Sequence, residues 1–326
     1  RKPAVCVSDG VPQPSCAMYD ALTLTVNPCI DVSASVDRVV PEDKLRCDEP
    51  RYDPGGGGIN VARVVNTLGG RSLAVWTSGG LTGDFLGSLL DGCGLEHVPV
   101  AVTGMTRQNV IIFEKATHLQ YRFGMPGAPL SREEQLACGV AVGDRAAEAR
   151  TIVLSGSLPP DAPVNFYRRI VDRLPAGPRV LVDTSGVPLR ESLGPGVFLI
   201  KPNRREMNLL AGCPVDSEAA LADAAGGLVR DGAAEAVVVS LGADGVLYAT
   251  AEGVETVRAP DVPVRSKVGA GDSMVGGIAT GLARGETIAA AVRLGVAAGT
   301  ATVMTSGTQL CRREDVERLD AEIRRS

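Results

Sequence analysis

At 326 residues the chain is long enough for one large α/β domain, and a 44% apolar fraction with a mean hydropathy of +0.11 lets it bury a sizeable core. A formal net charge of −5 and only 3% aromatic residues argue against a nucleic-acid partner, which calls for a basic surface or stacking platforms. Eight cysteines without a CxxC pair, and only two histidines, disfavour a zinc site, a disulfide framework and histidine-based catalysis; no uncharged apolar run reaches membrane-spanning length, so a cytoplasmic enzyme with reduced thiols is expected.

In chain order, residues 1–20 contain Pro3, Pro12 and Pro14 and lack the basic-then-apolar order of a signal peptide; a disordered tail is expected there, ahead of one domain over 21–326. A strand is predicted over 21–26, and Asn27-Pro28-Cys29-Ile30-Asp31 follows it. Residues 32–52 hold no good helix; four glycines then lead into a helix over 59–68, a strand over 72–76 and a helix over 85–91. The stretch 106–125 reads as two short strands, 109–114 and 119–123, joined by a turn at 115–118. With 32–52 it is expected to form a small β-sheet lid covering a substrate or a partner subunit. Beyond it, helices are predicted over 132–148, 164–174, 204–211 and 218–230, and strands over 151–154, 179–182, 197–200 and 236–239. After Gly269 the pattern is helical, over 270–284, 288–304 and 314–323. Such alternation predicts a mostly parallel central sheet between two helical layers, with ligands at the carboxyl ends of the strands.

The motif with most chemical content is Lys267-Val268-Gly269-Ala270-Gly271-Asp272, a glycine turn opening a long apolar helix. Small residues there let backbone amides face an anion, the helix dipole adds positive potential, and Asp272 is placed to take a proton from a hydroxyl nucleophile. An acidic cap after a glycine turn would read the same way. The Gly55-Gly56-Gly57-Gly58 run favours close approach of a ligand to the backbone, with Asn60 near it; a flexible turn is the plainer alternative, and the spacing is neither a Walker loop nor a dinucleotide fingerprint. Asp31 lies at a strand's carboxyl end, where a carboxylate grips sugar hydroxyls or simply closes a turn. Asn203 and Glu206 share a face at a helix start, fitting either Mg²⁺ held through waters or a capping box. Arg107 and Arg122 in the lid stretch suit a substrate phosphate. Ser157 and Asp183 each follow a strand, and Ser240 and Gly242 fit a nucleotide loop.

The ordered set GGGGINVAR, SGSLPP, KPNxxE, VVVSLG and VGAGDSMV resembles the ribokinase-like PfkB family of sugar kinases, from about Leu22 to about Arg318. The resemblance implies a ribokinase-like three-layer fold, ATP and Mg²⁺ as cofactors, and phosphorylation of a small sugar phosphate. By it, Asp272 is the base and the backbone of Gly269, Ala270 and Gly271 the anion hole. Asp31, Gly56 and Asn60 contact sugar hydroxyls; Arg107, Arg122, Ser157 and Asp183, with Lys44 of a neighbouring subunit, complete the substrate site. The nucleotide side comprises Lys201, Asn203, Arg205, Ser240, Gly242 and Gly245, with Mg²⁺ near Asn203 and Glu206. Ser266, Val268, Thr302 and Gly307 match a K⁺ site, and relatives dimerise through the lid sheet. Position 57 is Gly where 1-phosphofructokinases and tagatose-6-phosphate kinases usually carry Lys, so the resemblance favours the C1 hydroxyl of fructose 6-phosphate as acceptor, giving fructose 1,6-bisphosphate. Those two activities, and a non-catalytic sugar-phosphate-binding regulator, are the alternatives. Lys267 departs from the family, which commonly has Thr there.

Overall fold

A computed structural model describes residues 18–325. Strands β1 (Tyr19–Thr25), β2 (Cys29–Val36) and β3 (Arg51–Gly55) lead to helix α1 (Gly57–Thr67), β4 (Ser72–Ser78), α2 (Gly80–Gly92) and β5 (Glu96–Ala101). The hairpin β6 (Arg107–Glu114) and β7 (Gln120–Phe123) precedes α3 (Arg132–Gly143), β8 (Ala149–Ser155), α4 (Phe166–Val171) and β9 (Arg179–Asp183). Then come α5 (Val187–Ser192), β10 (Leu199–Ile200), α6 (Arg204–Ala211), α7 (Glu218–Arg230) and β11 (Ala236–Ser240). An antiparallel pair, β12 (Val246–Thr250) and β13 (Gly253–Val257), and helices α8 (Ala270–Ala283), α9 (Ile288–Val303) and α10 (Arg313–Ile323) complete it.

Nine strands form the central sheet in the order β13-β12-β11-β10-β9-β8-β1-β4-β5, parallel except for the β12 and β13 edge. Both faces are covered, which is why the parallel strands read as unbroken apolar runs. In β1, Leu22 and Leu24 pack into one core with α3, α4 and α7, while Ala21 faces the other with α1, α8, α9 and α10. A third cluster, with Ile30, Trp76, Leu86 and Leu90 in it, seats the second sheet on α2. That sheet has four strands in the order β3-β2-β6-β7. Among the described residues no helix is long and apolar enough to cross a membrane.

Several boundaries differ from expectation. Tyr19 and Asp20 belong to β1, where the Asp20 carboxylate accepts from Arg71 N at 2.9 Å; residues 1–17 of the expected tail lie outside the described residues. The small sheet starts at Cys29 and ends at Phe123, with 38–50 irregular and exposed apart from half-buried Val39. Helix α3 stops at Gly143, not 148, because a short 3₁₀ turn at Ala146–Glu148 bends the chain into β8. Helix α4 is confined to Phe166–Val171, and α2 begins five residues early, at Gly80.

Candidate active site

Two helix N-termini converge at the carboxyl edge of the central sheet. Helix α8 opens at Gly269, whose φ of 76° is left-handed; a Cβ there would also lie 2.8 Å from Leu310 Cδ2. The amides of Ala270, Gly271 and Asp272 begin the helix and have no intrahelical acceptor. Helix α1 opens against β1 and β8: a Cβ at Gly57 would strike Ser155 Oγ, and one at Gly58 would sit 2.6 Å from Leu24 O. The glycines thus bring α1 close enough for Asn60 Nδ2 to donate to Asp272 Oδ2 at 2.8 Å. Gly56, at φ 118°, makes the turn before α1, where a Cβ would lie 3.2 Å from Pro28 Cα.

Asp31, 8% exposed on β2, accepts from Asn109 Nδ2 at 2.9 Å and from the Cys29 thiol at 3.3 Å. Asp183 ends β9 and pairs with Lys201, just past β10, at 3.4 Å. Asp183, Lys201 and Asp272 line a cavity of about 340 Å³ whose walls also include Ser157, Glu206, Ser240 and Gly271, and Asn60 is tied to it through its bond to Asp272. Burial pushes the Asp272 carboxyl up to about 6; Asp183 adds to the rise, the Asn60 bond and Lys201 oppose it, and Asp31 adds a little more. For Lys201, burial works against the charge, but the carboxylates of Asp183, Glu206 and Asp272 outweigh it and hold the ammonium above its ordinary value. Burial raises Asp183, with Lys201 partly offsetting it.

The cavity fits a polyphosphate. The hydroxyls of Ser155 and Thr184 are buried in its wall without a hydrogen-bond partner, and Lys201 supplies a cation. A neighbouring cavity of about 490 Å³ shares Ser240 and Gly271 with it and runs over Gly242, Gly245, Lys267, Ala270, Met274 and Val296, an apolar floor suited to a nucleotide base. Asn203 and Glu206 form the capping box, at 3.0 and 2.8 Å, and both also line the polar cavity. Among the described residues no group of three or more His, Cys, Asp or Glu side chains converges on one point; the side-chain oxygens of Asn203 and Glu206, in the wall of that cavity, are donors of the type Mg²⁺ takes.

Arg107 donates to the Asn27 carbonyl at 3.1 Å and the Met125 carbonyl at 3.0 Å, and Asn27 Nδ2 reaches Ser157 Oγ at 3.1 Å, so the two expected phosphate contacts are linked. Ser266 Oγ donates to the Gly307 carbonyl at 2.7 Å and accepts from Val268 N at 3.3 Å, which gathers three of the expected K⁺-site residues; the Thr302 hydroxyl is engaged instead with Ser273 and Ala298. Lys44, Arg122 and Arg205 are exposed, line none of these cavities, and their side chains form no hydrogen bond or ion pair among the described residues. Asn27, Cys29, Asn109, Ser155 and Thr184 join these groups although the sequence reading gave none of them a role of its own, for each stood beside a residue with a plainer claim.

A carboxylate in the first turn of a helix, beside a polar cavity and a partly apolar one at the edge of a parallel sheet, defines a small-molecule kinase. The chain belongs to the pfkB family of carbohydrate kinases, whose model matches residues 20–315. It is 44% identical over 299 residues to the ATP-dependent 6-phosphofructokinase isozyme 2 of Mycobacterium tuberculosis, covering 91% of this chain and 88% of that one. The isozyme of the same name from Escherichia coli is 40% identical over 313 residues, covering 94% and 100%. Solved structures of Escherichia coli phosphofructokinase-2 superpose with TM-scores of 0.88 (with potassium, 37% identity) and 0.86 (with fructose-6-phosphate, 36%), each covering 94% of this chain and 100% of that one. Arabidopsis thaliana ribokinase shares the fold at 19% identity and a TM-score of 0.74, covering 93% and 99%.

Proposed function

We propose that the protein transfers the γ-phosphoryl group of ATP to the C1 hydroxyl of fructose 6-phosphate, giving ADP and fructose 1,6-bisphosphate, in the cytosol. The observation that carries this reading is the convergence of Asn60, Asp31 and Asp272 beside the unpartnered amides of α8. The names of the relatives and Gly57 support the acceptor.

In this mechanism the C1 oxygen attacks the γ-phosphorus as the bond to the β-bridging oxygen breaks. Asp272 takes the hydroxyl proton, and the amides of Gly269, Ala270 and Gly271 face the charge on the transferring group. Asp31 and Asn60 orient the sugar; Arg107 and Ser157 hold its phosphate. Lys201 balances charge among the carboxylates, and Gly242 and Gly245 lie along the nucleotide. Asn203 and Glu206 would help hold Mg²⁺, which would neutralise phosphate charge there. K⁺ beside Ser266, Val268 and Gly307 would firm up the loop that leads into the anion hole. The small sheet, which exposes Phe113 on the face that carries Asp31, would be the surface for a homodimer, with Lys44 reaching the partner's sugar phosphate.

Comparison of kcat/KM for fructose 6-phosphate, fructose 1-phosphate and tagatose 6-phosphate tests the acceptor. Fructose 6-phosphate is expected to lead by about tenfold or more. Preference for either of the others would replace the acceptor, and no ADP release above the ATP-only background with any of them would point to a non-catalytic binder.

The pH dependence follows from the same carboxylate. The active form is ionised, so kcat/KM rises as pH climbs through about 6 and levels off above it. The substrate phosphate titrates nearby, so the diagnostic is a difference. Asn60→Leu removes the hydrogen bond that favours the ionised form, and its acid limb is expected to lie higher than that of the wild type. Superimposable limbs would remove Asn60 from this role.

A further inference from the structure

Asn109 stands between the two charged groups assigned to the sugar phosphate. On the small sheet it is in register with Asp31, and Arg107 is in register with Cys29, so all four side chains share one face. Its amide nitrogen donates to Asp31 Oδ1 at 2.9 Å and to Cys29 Sγ at 3.1 Å. Its Oδ1 accepts from Arg107 Nη1 and from Met125 N, each at 3.2 Å. Both donors and both acceptor sites of the amide are therefore used. The orientation is fixed by its partners: turned over, the amide would set donors against Arg107 and Met125 and an oxygen against the Asp31 carboxylate.

The amide is neutral, and it separates a guanidinium from a carboxylate that would otherwise attract each other. At a partly buried site such a pair would form a salt bridge and satisfy both groups internally. We propose that Asn109 is a positioning residue that keeps Arg107 and Asp31 apart and aims both at one sugar phosphate, coupling recognition of the phosphate to placement of the acceptor hydroxyls. The proposal rests on the roles given to Arg107 and Asp31 above and goes beyond them by naming what holds the two in register. Asn109 touches neither substrate nor the reacting atoms in this account.

The test is a kinetic double-mutant cycle, run with whichever of the three sugar phosphates the wild-type enzyme uses best, so that a wrong acceptor does not undo it. Asn109→Ala is expected to raise KM for the sugar phosphate by about 10–100-fold, with KM for ATP within about twofold and Tm nearly unchanged. Asn109→Asp, which keeps the acceptors but faces Asp31 with a like charge, is expected to do the same. Combined with Arg107→Ala, the Asn109→Ala penalty should shrink by more than about threefold, because the cation it holds away from Asp31 is gone. Penalties that multiply in the double variant, an unchanged sugar-phosphate KM, or a joint rise of both KM values with a fallen Tm would each overturn the proposal. A wild type inactive on all three sugars would instead overturn the kinase reading on which it stands.

Discussion

Asp272→Asn is expected to fold and bind both substrates yet turn over about 10²–10⁴-fold more slowly, the contribution of a positioned general base. The amide keeps the size of the side chain and an oxygen to accept from Asn60, while losing the site that takes the proton. The loss should fall on kcat, since neither the phosphate contacts of Arg107 nor the nucleotide cavity is touched. The same substitution is expected to stabilise the fold. Folding raises the Asp272 pKa from 3.8 to about 6, so the native state above about pH 6 holds a carboxylate it disfavours. That cost is fully present above the folded value and is relieved as pH falls from about 6 toward 3.8. At 1.36 kcal/mol per unit it amounts to at most about 3 kcal/mol. Asp272→Asn should therefore melt a few degrees above the wild type at pH 8, with the gap closing near pH 4. A variant that loses both activity and stability at pH 8 would make Asp272 a structural residue.

Lys201→Met is expected to be the most damaging change in stability. Lys201 is 7% exposed, and its ammonium lies 3.4 Å from Asp183 and directly under Gly271, 3.4 Å from where a Cβ would project. Removing it strands the Asp183 carboxylate in the cavity wall. Breaking one half of a buried pair costs on the order of 3–5 kcal/mol. For a chain of this size the corresponding fall in Tm is on the order of 5–10 °C. The cation also holds down the Asp272 pKa, so the acid limb of the surviving activity should shift upward. Lys201→Met combined with Asp183→Asn removes both charges and is expected to recover much of the stability but little of the turnover. Equal melting of Lys201→Met and wild type would show that the pair carries no such weight.

Much of this architecture was legible in the chain, and the reasons are local. Buried parallel strands such as Leu22 to Leu24 or Val237 to Val239 must be apolar on both faces, and the glycine turns at 55–58 and 269–271 mark where backbone meets ligand or neighbouring strand. The second sheet was readable because 32–52 and 106–125 hold no helix pattern and the latter turns back on itself at 115–118. The edge strand β13 was not, since every residue of Gly253–Val257 is exposed or half-buried and no apolar run announces it; its neighbour β12 is a short buried apolar run that was passed over. Nor was β5, an edge strand that carries Pro99 and begins with two polar residues, Glu96 and His97. The pairing of Asp183 with Lys201 depends on β9 and β10 being neighbours, and the bond from Asn60 to Asp272 spans 212 positions; no local pattern reports either. The part played by Asn109 was hidden for the same reason: its meaning comes from register with Asp31, not from its own flanks.

The most direct test of the whole account is ADP release by the wild-type protein with ATP, Mg²⁺ and fructose 6-phosphate, with the sugar product identified by phosphorus NMR. The account expects sugar-dependent ADP release and one new phosphate ester at C1. ADP release that ignores the sugar, or a product phosphorylated elsewhere, would contradict it.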